Sequence, residues 1–165
     1  LEEDYNKMNF SDFENIRIVE IENNSFCNRK CIYCINYYID RNSVNKIMPF
    51  NLFCKIIDEL STINYSHEIT FHRYNEPFYK KNEMILERIS YARKKLPNAV
   101  LEISSNGDYL DETYVKRILS CGLDKLHIQI HYDEFSNLTQ DKLKENILSL
   151  NKRIGGFKGK MYFKP

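Results

Sequence analysis

The sequence has no tryptophan, and only five glycines and four prolines in 165 residues. That scarcity excludes collagen-like, proline-rich and low-complexity chains. No apolar run approaches the roughly 20 residues needed to cross a bilayer as a helix, so no membrane span is expected. Neither sign of charge dominates, with 24 Lys and Arg against 23 Asp and Glu and a formal net charge of +1. A nucleic-acid partner is therefore not expected, since phosphate binding usually shows a basic excess. The start, Leu1-Glu2-Glu3-Asp4, lacks the basic-then-apolar layout of a secretory leader and does not begin with Met. A trimmed start is expected. The five cysteines are an odd number, which excludes a fully paired disulfide framework. Three of them, Cys27, Cys31 and Cys34, crowd into one short stretch. That layout suits a metal site in a reducing compartment, so a cytoplasmic location is expected.

What is present is a globular composition, 42% hydrophobic and 28% charged, enough for one domain. Residues 1–15 read as an N-terminal extension and 16–165 as a single core. Ile16 to Ile21 is β-branched and predicts a strand. Phe53, Ile56, Ile57 and Leu60 mark one face of a helix. Further strands are predicted over Glu68 to Arg73, Val100 to Ser104, Leu126 to His131 and Lys160 to Lys164. Helices are predicted between them, on stripes through Ile85, Ile89, Ala92 and Leu96, through Val115, Ile118 and Leu119 behind an Asp111 N-cap, and through Leu143, Ile147, Leu150 and Ile154.

Strand and helix alternate with short connections, the pattern of parallel βα units with helices outside the sheet. One strand face is polar throughout. Thr70 and His72 oppose Ile69 and Phe71; Glu102 and Ser104 oppose Leu101 and Ile103; His127, Gln129 and His131 oppose Leu126, Ile128 and Ile130. A flat sheet between two helical layers would be apolar on both faces. The fold class expected is therefore α/β, a partial (βα) TIM-like barrel with a polar lumen, ending after about four and a half βα units. Chemistry in such barrels sits at the C-terminal ends of the strands.

Cys27-Asn28-Arg29-Lys30-Cys31-Ile32-Tyr33-Cys34 has the spacing C-x3-C-x2-C and follows the first strand. Three thiolates on one short loop can hold three irons of a cubane and leave the fourth iron open. The alternative is a non-catalytic module with structural zinc, which wants four closed ligands. Cys54 and His67 would have to complete that set from far along the chain. Cys54 and Cys121 are otherwise expected to be inert core thiols.

The cysteine spacing, with Tyr33 before the last Cys, resembles the signature of the radical S-adenosylmethionine (SAM) superfamily. Arg73-Tyr74-Asn75-Glu76-Pro77 resembles the family's Gly-Gly-Glu-Pro, with both glycines replaced. Ser105-Asn106-Gly107 resembles its Thr-Asn-Gly, and Gly122-Leu123-Asp124-Lys125-Leu126 its lead into strand four. Asn75 is expected to stand in for glycine through its tolerance of a left-handed backbone.

The resemblance implies a radical SAM core and two cofactors, a [4Fe–4S] cluster on Cys27, Cys31 and Cys34 and SAM on the open iron. It implies SAM contacts from Tyr33, Tyr74, Asn75, Glu76, Ser104, Ser105, Asn106, Gln129 and His131, with Glu76 accepting from the SAM amino group. It names no catalytic residue in this stretch. His72 and His127 are expected to support the ligand contacts from behind or to be structural. The reaction implied is reductive SAM cleavage followed by hydrogen abstraction, with a lean to peptide or natural-product modification. A tRNA- or cofactor-maturing member is the rival. An electron donor such as a flavodoxin or ferredoxin is implied as partner.

Overall fold

The structure, a computed structural model, describes residues 15–44, 46–129 and 139–156. The predicted fifth strand, His131 and almost all of the predicted N-terminal extension lie outside them. Among the described residues, β1 (Ile18–Glu20), β2 (Glu68–Thr70), β3 (Val100–Ser105) and β4 (Lys125–Ile128) form one sheet in the order β1-β2-β3-β4. Every pairing is parallel. The helices are α1 (Ile35–Tyr38), α2 (Arg41–Val44), α3 (Phe50–Thr62), α4 (Glu83–Lys95), α5 (Glu112–Ser120) and α6 (Gln140–Arg153). None of them is long and apolar enough to cross a membrane.

Alternation along the strands builds the core. In β3, Leu101 and Ile103 are buried while Glu102 and Ser104 are half-buried on the other face. In β4, Leu126 and Ile128 are buried and His127 is half-buried. The apolar face packs against Phe53 and Ile57 of α3, Ile85 and Ile89 of α4, and Ile118 of α5. The register aligns Glu20, Thr70, Glu102 and Lys125 in one row across the sheet. Ser104 and His127 fall in the next. Aligned residues of a parallel sheet share a face, so the polar row is continuous, as expected of a lumen. Lys125 Nζ lies 2.7 Å from Glu68 and 3.4 Å from Glu102, and His127 Nε2 lies 3.4 Å from Glu102.

Two strands are shorter than their β-branched stretches predict. β1 ends at Glu20, although Ile21 still donates its N–H to Thr70. β2 ends at Thr70 because His72 interrupts the ladder. The next bond of a parallel ladder would run from the Ser104 N–H to the Phe71 carbonyl. His72 Nδ1 accepts that N–H instead, at 3.0 Å, and Phe71 O accepts from Asn23 Nδ2 at 3.3 Å. Accepting at Nδ1 leaves the imidazole proton on Nε2.

The helix caps follow sequence. Asp111 accepts from the Tyr114 N–H at 2.8 Å, Asn82 caps α4, and Thr139 caps α6. Of the stripe predicted for α6, Leu150 and Ile154 are buried, while Leu143 and Ile147 are half-buried.

Arg88 of α4 is the unexpected core residue, 1% exposed. It lies over the Phe53 ring and donates to Asn23 Oδ1 at 2.5 Å and to the Met48 carbonyl. Burial lowers its pKa. Asn23, itself buried, passes the connection to the ends of the strands through Ile21 O and Phe71 O.

Candidate active site at the strand ends

The cysteine loop leaves the end of β1 and is pinned on both flanks. Asn24 bridges to Ile47, and Ser25 exchanges hydrogen bonds with Lys46. The Phe26 carbonyl accepts the Glu76 N–H at 2.6 Å, which joins the loop to the segment after β2. The Cys34 N–H donates to Cys31 O at 2.9 Å, closing a tight turn between the last two cysteines, and Cys34 then stands at the N-cap position of α1 without a side-chain capping bond. None of the five cysteines is in a disulfide.

Cys27, Cys31 and Cys34 line one cleft. The segment after β2 supplies His72, Arg73, Tyr74, Asn75 and Glu76 to the same cleft. The end of β3 supplies Ser104, Ser105 and Asn106, and the end of β4 supplies Gln129. Of the residues expected to contact SAM, Tyr33, Tyr74, Asn75, Glu76, Ser104, Ser105, Asn106 and Gln129 line this cleft, together with Arg29, Arg73 and His72, which were not among them. Tyr33 stands at the rim, 62% exposed.

Several residues expected to contact a ligand are also bonded to one another. Glu76 is 2% exposed. Its carboxylate accepts from the Phe78 N–H (3.0 Å), Ser105 Oγ (2.8 Å) and the Asn106 N–H (2.7 Å). Burial pushes its pKa up to about 7, against the pull of those three donors. Ser105 Oγ also accepts the Gly107 N–H, and the Asn106 side chain bonds Asn28 and the Asp108 N–H. These groups weld the end of β2 to the end of β3 under the cysteine loop.

The glycine replacements work differently from the expectation. Neither Tyr74 nor Asn75 has a positive φ, so Asn75 does not substitute for glycine by left-handed backbone. Tyr74 is held instead by its surroundings. Its N–H donates to Glu22 at 2.8 Å, its carbonyl accepts from Asn36 at 2.6 Å, and its ring lies within cation–π range of Arg41 and Arg73. Asn75 Oδ1 accepts the Arg73 N–H, while its buried Nδ2 has no partner among the described residues. A buried amide left without an acceptor costs stability unless something else supplies one. Asn75 lines the cleft, so a bound ligand is in position to do so.

The donor set fits an iron–sulfur cluster. Burial pushes the Cys27 thiol up to about 11, with Glu76 and the two other cysteines adding to it and a bond from the Arg29 backbone opposing it. A thiolate there needs positive charge beside it, which cluster iron provides. Among the described residues no three His, Cys, Asp or Glu side chains converge on a single metal ion. The zinc alternative fails on placement. Cys54 is on α3 beside Tyr91. His67 bonds Arg17 at the opposite end of β2 from the cysteine loop.

A parallel half-barrel with three clustered cysteines at its catalytic end defines a class, cluster-dependent (βα) enzymes, and the comparisons give the family. The Radical SAM superfamily model matches residues 24–157, and the chain belongs to that superfamily. Its members use a [4Fe–4S] cluster and SAM. A curated relative from Niallia circulans, an S-adenosyl-L-methionine-dependent 2-deoxy-scyllo-inosamine dehydrogenase, is 28% identical over 136 residues, which is 76% of this chain and 53% of the relative. The structure of BtrN with AdoMet and 2-DOIA matches with a TM-score of 0.63 and 24% identity, over 89% of this chain and 55% of that one. BtrN in an open conformation matches with a TM-score of 0.62 and 30% identity, over 72% and 51%. Methylornithine synthase (PylB) shares the fold, with a TM-score of 0.59 and 13% identity, over 93% of this chain and 46% of that one. The chain spans about half the length of the relatives it matches.

Proposed function

We propose that this protein cleaves SAM reductively at a [4Fe–4S] cluster on Cys27, Cys31 and Cys34 and abstracts hydrogen from a small polar substrate in natural-product metabolism. The observation that carries the proposal is the single cleft that joins the three cysteines to the C-terminal ends of β2, β3 and β4. When bound, the cluster and SAM supply one-electron cleavage to methionine and a 5′-deoxyadenosyl radical. The chain's own groups bind and orient. Asn75 Nδ2 offers a donor to the ligand. Glu76 would accept from the SAM amino group, whose positive charge would lower the carboxyl's pKa. Ser104 and Gln129 offer polar contacts from the lumen side, and Tyr33 an aromatic surface at the rim.

The lumen favours a small hydrophilic substrate over a peptide. The cleft wall carries Ser104, Asn106 and Gln129 from the ends of β3 and β4. These side chains offer partners for hydroxyl and amine groups, in keeping with the dehydrogenase relative. The near-neutral charge weighs against a tRNA substrate. A low-potential donor of the flavodoxin or ferredoxin kind would reduce the cluster, and the thiol-bearing loop suits the cytoplasm.

The test is to reconstitute the intact protein anaerobically, reduce it, add SAM and quantify 5′-deoxyadenosine, with Cys31→Ala alongside. Product from the wild type and none from the variant is the expected result. A protein that takes up zinc and no iron would refute the proposal.

A further inference from the structure

We propose that Asp108, in the turn after β3, is a positioning residue that sets the first half of the cysteine loop by clamping Asn28 and Arg29. The inference rests on the reading that this loop holds the cluster. Asn28 and Arg29 are two of the three residues between Cys27 and Cys31. Asp108 Oδ1 accepts from Arg29 Nη2 at 2.5 Å, and Oδ2 accepts from Arg29 Nε at 2.8 Å, a two-point fork. Oδ2 also accepts from Asn28 Nδ2 at 2.6 Å. Asn28 Oδ1 in turn accepts from Asn106 Nδ2 at 2.9 Å, so the Asn28 amide is held at both ends by one turn.

The turn itself is rigid enough to act as a clamp. The Asp108 N–H donates to Asn106 Oδ1 at 2.9 Å, and the Asn106 N–H is taken by Glu76. From the far side, Arg153 of α6 donates to the carbonyls of Asp108 (2.6 Å) and Gly107 (2.8 Å). Burial pushes the Asp108 carboxyl up, but Arg29 and Asn28 together hold it below its ordinary value. The Arg29–Asp108 pair is also the better shielded kind, with side chains 20% and 32% exposed against 71% and 53% for Lys116–Glu112. Exposed pairs of the latter kind contribute little.

The clamp divides the work of the loop. Between Cys31 and Cys34 a backbone bond fixes the spacing. Between Cys27 and Cys31 the side chains of the spacer are fixed by Asp108, some 79 residues away from Arg29. Arg29 also lines the cleft, so the same fork keeps its guanidinium stationary beside the cysteines.

Hydrogen–deuterium exchange of the intact metal-free protein tests this directly, followed over residues 27–34 with iron and sulfide per chain measured after reconstitution. Asp108→Asn and Arg29→Gln should each speed exchange over 27–34 by about tenfold, the scale of one charge-assisted bond, and leave α3 and α4 protected. The double variant should be no faster than either single one. Asp108→Glu should restore much of the protection. Iron uptake should fall in the same order. Wild-type exchange and iron uptake in Asp108→Asn, or additive effects in the double variant, would overturn the proposal. If Asp108→Asn loosens the whole domain, Arg29→Gln decides, since it leaves the turn intact; an unaffected loop in that variant would also overturn it. A wild type that binds no iron, with the loop still loosened by both variants, would sink the cluster assignment and leave the clamp standing.

Discussion

Glu76 makes the stability of the metal-free domain depend on pH in a direction opposite to that of an ordinary ion-paired carboxylate. Burial raises its pKa from 4.5 to about 7, while the Asn106, Ser105 and Phe78 donors limit the rise. Between those two values the unfolded chain releases the proton and the native chain keeps it. Stability contributed by the protonated form is whole below pH 4.5, declines as pH rises, and is lost above about 7. At about 1.4 kcal/mol per pH unit, that interval amounts to about 3 kcal/mol. Glu76→Gln cannot ionise. Its amide Nε2 would oppose one of the donated N–H groups, which adds a cost that does not vary with pH. The stability difference between wild type and variant should therefore shift by about 3 kcal/mol in favour of the variant from pH 4.5 to pH 8. Urea denaturation of the metal-free protein at several pH values measures it. A difference that stays flat would show that the three donors outweigh burial and keep Glu76 ionised throughout. A difference that shifts the other way would place its native pKa below 4.5.

Arg88→Met keeps the apolar stem over Phe53 but leaves Asn23 Oδ1 and the Met48 carbonyl without their donor. It should cost about 3 kcal/mol by urea denaturation; a loss under about 1 kcal/mol would show that the charge's own burial cancels its bonds. Gly107 has φ +78, and a Cβ there would lie 2.9 Å from Ile128 Cγ2. Gly107→Ala should cost about 2 kcal/mol in a thermal or urea melt, and an unchanged midpoint would refute the strain argument. Asn75→Ala removes a buried amide nitrogen that has no acceptor among the described residues. It should leave the metal-free melting temperature unchanged or higher while weakening SAM binding about tenfold by calorimetry; a lower melting temperature with unchanged affinity would place the amide in folding and not in the site.

The sequence made the sheet legible because a strand's two faces are read by counting in twos. Leu101, Ile103, Leu126 and Ile128 alternate with Glu102, Ser104 and His127 in sequence and in burial alike. The cysteine loop was legible because its three cysteines are local in sequence. The helices α1 and α2 were not, since four residues are too few to show a period. Arg88 escaped because an arginine on an apolar stripe reads as the edge of a solvated face. Its partners, Asn23 and Met48, lie 65 and 40 residues away. Asp108 escaped for the same reason. Nothing in Asn106-Gly107-Asp108 beyond a turn signal says which loop the carboxylate will meet.

The same separation explains why the contacts between the strand-end motifs could not be read from the sequence. Short motifs at the ends of parallel strands recur together because the strands bring them together, and a ligand is only one of the things they meet there. Glu76 with Ser105 and Asn106, and Asn106 with Asn28, are contacts between motifs. Each motif is thus part of the mould that shapes its neighbour. The cysteine loop is attached to that mould at Phe26 through the Glu76 N–H and at Asn28 and Arg29 through the β3 turn. A substitution in any strand-end motif therefore reaches the cysteines by way of the protein before it reaches them by way of a ligand. Loss of activity alone cannot separate those two routes. The state of the loop in the metal-free protein can, because only the route through the protein operates there.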